Sequence, residues 1–288
     1  MQIFFANIFN PAPNQPSMLN SLFDSFHGMI KALEVLYVIK GEKKAARLLI
    51  HEDYVNEAEE KCKSLNLSCI RSEDKLQLDF AGDYSNKGHA TKKEGHFMLY
   101  ISKEEQVARK ALQFEKNNDH HGLGKILGYP LCCIKFFVKN FPKESKHMND
   151  FIIPAFQKSK GFNFPFENNI FGRYFDFSLL SHCPHSFSCE ASRLQGKSRL
   201  ELIRKHDSVV ASQFEKLLKC MVIYDQGTVQ ILSGITIKGN VLHYSDVLST
   251  KRDAFARKLS TLSSILVKNN KKFVLDEKNY SLPFGIFN

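Results

Sequence analysis

The chain has 288 residues, 43% hydrophobic and 24% charged, which excludes a predominantly disordered or fibrous polypeptide and allows one large domain or two modest ones. Its 40 Lys plus Arg against 30 Asp plus Glu leave a net charge of +10, a bias toward polyanionic partners such as nucleic acid or a phosphorylated small molecule. No apolar run reaches the roughly 18 residues of a membrane span; Met1–Asn10 lacks a signal-peptide pattern, and the seven cysteines are an odd number, so a cytoplasmic protein with reduced thiols is expected.

In chain order, the turn-rich Asn10–Pro16 is followed by helical spacing of apolar residues over Met18–Ile39. Ala45–Ile50 reads as a buried strand, Tyr54–Asn66 as a helix, and Leu67–Arg71, Lys75–Phe80 and Phe97–Ile101 as strands. Ser102 is expected to cap a helix to Asn117, with Glu105 completing a capping box. Gly82–Gly95 is polar and basic and is expected to be a mobile loop. A short helix ends near Gly128, and Pro130 occupies the first turn of the next. Asn140–Ser181 lacks a clean period. Ser198–Met221 reads as a helix. Val222–Ile231, Ile235–Ile237 and Val241–Tyr244 read as strands with turns at Asp-Gln-Gly and Lys-Gly-Asn, and Arg252–Lys268 reads as a helix. The expected class is α+β. An N-terminal mixed α/β unit (1–118) precedes a helical, aromatic-rich cysteine region with a C-terminal strand and helix segment (119–288), and the two can form one domain.

The chemistry is concentrated in two clusters. Cys132 and Cys133 sit in Leu-Gly-Tyr-Pro-Leu-Cys-Cys-Ile-Lys-Phe-Phe, and Cys183, His185 and Cys189 in His-Cys-Pro-His-Ser-Phe-Ser-Cys, residues 182–189. Thiolates with imidazole suit zinc or an iron–sulfur cluster. Cysteines in a first helical turn face unpaired amides and the positive end of the helix dipole, which stabilises the thiolate. Neighbouring helical residues point about 100° apart, so one of Cys132 and Cys133 is expected to ligate unless the turn distorts. Cys62, Cys69 and Cys220 are expected in the core. The 25 phenylalanines, dense between the clusters, are expected to form an apolar shell. Lys40, Lys43, Lys44 and Arg47 read with the other basic residues mainly as solvated helix faces.

Together with Ala32–Tyr37 and Lys40–Lys43, these two motifs resemble the Gly-Tyr-Pro-x-Cys-Cys family of archaea and bacteria called domain of unknown function 483, over roughly residues 30–200. The resemblance implies no settled activity. In its pattern Cys132, Cys133 and Cys189 match cysteines, while His185 stands where a cysteine is usual. Either His185 replaces that ligand or Cys183 takes over.

Three functions compete. One is an enzyme with an iron–sulfur or zinc centre, acting on nucleic acid or a small anion held by Lys135, Lys139, Arg193 and Lys197. Another is a non-enzymatic zinc-knuckle RNA-binding module. A third is metal-free thiol redox chemistry. Hydrolysis by Cys133 with His182 or His185 would further need an orienting carboxylate, Glu190 or Asp176.

Overall fold

Residues 17–78, 88–146, 149–269 and 272–288 are described by the computed structural model; the expected leader at Asn10–Pro16 lies outside them. The expected helix over Met18–Ile39 is two helices, α1 (Met18–Phe26) and α2 (Met29–Ile39). His27 adopts a left-handed conformation (φ 51°) and closes α1 by donating its amide to the Phe23 carbonyl. Apolar spacing survives the break: Leu22, Phe26, Met29 and Leu33, three or four residues apart, are all buried.

The fold is α+β. Its residues divide into two compact units, 1–149 with 201–211 and 150–200 with 212–288, whereas the sequence reading drew the division at 118/119. In the first unit, β1 (Ala45–His51), β2 (Ser68–Leu78), β3 (Gly88–Thr91) and β4 (His96–Ser102) form an antiparallel sheet in the order β1-β4-β2-β3. The helix α3 (Val55–Ser64) separates β1 from β2. The two strands expected within 67–80 are one, with a bulge between Arg71 and Lys75. There Ser72 Oγ accepts from the Met98 amide at 3.0 Å, which keeps the bulge attached to the sheet. Gly88–Thr91 is a strand where a mobile loop was expected; residues 82–87 lie outside the described set.

The capping box does not form. Ser102 ends β4 and donates from its hydroxyl to the Lys44 carbonyl at 2.7 Å, and α4 (Glu105–Lys116) starts behind Glu104 without a side-chain cap. Lys43 also departs from expectation. Rather than lying on a solvated face it is buried and paired with Glu34, with its ammonium 5.5 Å from the Tyr129 ring centroid. Neither charge is stable there without the other.

Two further helices lead to the first cysteine motif. Asp119 caps α5 (His120–Ile126), its carboxylate accepting from the Gly122 amide at 2.8 Å. Gly128 (φ 75°) terminates it: the Tyr129 amide donates to Gly124 O at 2.9 Å and the Gly128 amide to Lys125 O at 3.1 Å. This paired Gly-terminated closure needs the left-handed residue. A Cβ at Gly124 would come within 2.8 Å of Ile134, so glycine there allows close approach of α6 (Leu131–Glu144). Gly128, Tyr129 and Pro130 thus end one helix, turn, and begin the next.

The second unit carries α7 (Ile152–Lys158), β5 (Asn163–Phe164), two short 3₁₀ turns and two five-stranded sheets. The expected Ser198–Met221 helix is instead divided. Here α8 (Glu190–His206) ends at Asp207, whose carboxylate accepts from the Val210 amide at 2.9 Å and opens α9 (Ser208–Leu218). Chain then enters β6 (Cys220–Asp225), β7 (Thr228–Ser233), β8 (Thr236–Lys238), β9 (Val241–His243) and β10 (Asp246–Ser249). The expected turns occur, with Gln226 and Gly227 at φ 40° and 89° and Gly239 at φ 60°.

The expected helix over Arg252–Lys268 shortens to α10 (Ala254–Thr261), followed by β11 (Ser264–Asn269), β12 (Lys272–Leu275), β13 (Lys278–Tyr280) and β14 (Phe284–Phe287). One sheet runs β10-β7-β6-β14-β5, parallel only at β14–β5; the other runs β13-β12-β11-β9-β8. Met221, Leu232, Leu242, Ile265, Phe273 and Phe284 from both sheets share one core.

Candidate metal centre

Pro130 precedes α6 with extended backbone (φ −58°, ψ 135°), and its carbonyl accepts two amides, Cys133 N at 2.9 Å and Ile134 N at 3.0 Å. The first of these is an i to i−3 bond, which tightens the opening turn. Cys132 Sγ and Cys133 Sγ lie 3.9 Å apart. The expectation that only one of these neighbours would take part is corrected here, because both sulfurs lie in the same four-residue group.

The second motif lies in a segment without regular secondary structure, so its buried backbone groups need side-chain partners. Arg173, buried, donates to the carbonyls of Leu180 (3.4 Å) and His182 (3.0 Å). Arg199, fully buried, donates to Leu179 O at 2.9 Å. The Asn168 amide donates to Phe187 O at 2.9 Å and Cys189 O at 3.0 Å, while Ser159 Oγ accepts from the Phe187 amide at 2.8 Å. Between His185 and Cys189, the Phe187 ring is fully buried among Phe156, Phe164, Phe171 and Phe287, with centroids 4.6 to 5.6 Å away.

Cys189 stands at the mouth of α8: its amide donates to Ser186 O at 2.9 Å and its carbonyl accepts from the Arg193 amide at 3.0 Å. Like Cys132 and Cys133, it therefore sits at a helix N-terminus, where partial positive charge favours thiolate over thiol.

One ligand atom from each of Cys132, Cys133, His185 and Cys189 lies within 4.8 Å of the others. Cys133 and Cys189 are buried, His185 is half-buried, and Cys132 is the most exposed. Three thiols and an imidazole at this spacing can hold a metal ion, and zinc accepts this donor set. It is the one such group of histidine, cysteine and carboxylate side chains among the described residues.

Cys183, a sequence candidate, is not in that group. Its thiol donates instead to the carbonyl oxygens of Phe151 (3.7 Å) and Pro184 (3.6 Å), and burial pushes it up to about 12. Such a thiol is a poor ligand until deprotonated. His182 is likewise outside the group, with Nε2 2.8 Å from Ser192 Oγ. Cys220 is a core thiol as expected, accepting from Asn169 Nδ2 at 3.2 Å and pushed up to about 12 by burial. Cys62 is buried and Cys69 half-buried.

Of the candidate phosphate-binding residues, Lys135, Lys139 and Lys197 are exposed. Arg193 makes a two-pronged pair with Glu190 at 2.6 and 2.8 Å, which offsets its charge. The same pair occupies Glu190, one of the two carboxylates named for orientation in a Cys/His hydrolase. Arg173, Arg199 and Asn168, which hold the second motif, escaped sequence reasoning: nothing in their spacing distinguishes a buried arginine from a surface one. No helix among the described residues is long and apolar enough to cross a membrane. No protein-family model matches the chain, and no curated protein or solved structure matches it either.

Proposed function

We propose that this chain is a zinc protein in which Cys132, Cys133, His185 and Cys189 bind one ion, and that it acts on an anionic partner, nucleic acid or a phosphorylated small molecule. The observation that carries the reading is the mutual approach of all four ligand atoms to within 4.8 Å. With Zn–S bonds near 2.3 Å, two sulfurs on one ion lie at most about 4.6 Å apart and about 3.8 Å apart in a tetrahedron. The 3.9 Å between Cys132 Sγ and Cys133 Sγ matches the tetrahedral edge. A four-iron cluster takes one cysteine per iron and a two-iron cluster two ligands per iron, so either spreads its four ligands over at least two irons bridged by sulfide and needs a wider cage than a mononuclear ion. The partner class rests on the net charge of +10.

Four protein ligands fill a tetrahedron, which also favours a second reading, a closed structural zinc site in a nucleic-acid-binding module. Elemental analysis of anaerobically purified full-length chain tests the metal. About one zinc per chain is expected, iron with sulfide would contradict zinc, and absence of both would contradict a metal centre altogether.

A further inference from the structure

The four donors are unequal in access, and that inequality has chemical consequences. Cys133 is 2% exposed and Cys189 3%, while Cys132 is the most exposed of the three thiols. Beside it on α6, Leu131 and Val138 are 48% and 40% exposed, and Lys135, also exposed, lies three residues on from Cys132. Positions i and i+3 share a helical face, so Lys135 sets a cation beside Cys132, whereas Leu131 and Val138 share a face with each other and point about 100° or more away from it.

Resting on the zinc reading above, we infer that Cys132 is the reactive, exchangeable ligand of the centre and accepts a carbon group from a small anionic electrophile, whose negative group lies at Lys135. Three thiolates and a neutral imidazole around a divalent ion leave one net negative charge, which keeps the sulfurs nucleophilic. Burial shields two of them. At Cys132 the sulfur forms an S–C bond as the carbon's bond to its leaving group breaks, and the leaving group departs with its electron pair. No oxidant or reductant is required. The product thioether is a neutral, weak donor, so Cys133, Cys189 and His185 would be the residues left to hold the ion.

The test treats zinc-loaded full-length chain with limiting iodoacetate or iodoacetamide, following peptide labels by mass spectrometry and zinc release with a chromophoric chelator. Label is expected at Cys132 roughly tenfold ahead of Cys133 and Cys189, as their burial requires, with zinc retained at the first labelling. In Lys135→Gln the iodoacetate-to-iodoacetamide rate ratio at Cys132 is expected to fall roughly threefold, the size of an exposed charge interaction, and 1 M salt should remove the difference. Equal labelling of the three cysteines, or zinc release in step with the first label, would overturn the assignment of Cys132. An unchanged ratio in Lys135→Gln would overturn the anionic substrate. Failure of the underlying zinc reading is read separately, as absence of zinc from the untreated chain.

Discussion

Cys133→Ala is expected to weaken zinc binding by two to three orders of magnitude while leaving the zinc-free protein folded. Structural zinc sites bind with roughly 10–16 kcal/mol, so a quarter of that, about 2.5–4 kcal/mol, is a reasonable loss for one of four ligands. Cys133 is buried at the third position of α6. Alanine is the best helix former, so the turn itself is not at risk. Competition with a chromophoric chelator measures the affinity. Cys183→Ala supplies the contrast: its thiol is bonded to carbonyls and absent from the four-residue group, so affinity should change less than threefold. Equal losses in the two variants would mean that Cys183 belongs to the site.

Phe187→Ala is expected to cost about 3–5 kcal/mol of stability, the usual range for removing a buried aromatic ring. Its ring contacts four phenylalanines and is fully buried. The backbone on either side is held by Ser159 and Asn168, so the segment cannot readily collapse into the space. Urea denaturation of the zinc-free protein measures the loss, and Phe187→Leu should recover most of it. Because Phe187 lies between His185 and Cys189, zinc affinity should fall with it. A loss under 1 kcal/mol would show that this ring does not anchor the ligand segment.

What could be read from sequence follows from which forces act locally. Ala45–His51 and His96–Ser102 were legible because β propensity and apolar content coincide there. Helix ends were not. His27 and Asp207 interrupt apolar patterns that continue across them, because two short helices can bury the same face as one long helix. Strand β11 was read as helix since Phe255, Leu259, Leu262 and Leu266 carry a helical spacing into it, whereas the alternation that marks the strand is confined to buried Ile265 and Val267 around exposed Leu266. Lys43 looked solvated because its partner Glu34, nine residues back, is identifiable only once the chain folds.

At the metal centre, residue types and both motifs were visible. Cys132, Cys133, His185 and Cys189 were the favoured ligands with Cys183 in reserve, and only the choice between His185 and Cys183 stayed open; Cys183 is set apart by its thiol's bonds to the Phe151 and Pro184 carbonyls. Ideal helix geometry points Cys132 and Cys133 about 100° apart, yet their sulfurs lie 3.9 Å from each other.

Zinc-edge X-ray absorption on the full-length zinc-loaded chain tests the central claim most directly. The expected first shell is three sulfurs at about 2.3 Å and one nitrogen at about 2.0–2.1 Å, from Cys132, Cys133, Cys189 and His185. A shell of four sulfurs would bring Cys183 into the site in place of His185, and a shell with two or fewer sulfurs would contradict the four-residue centre.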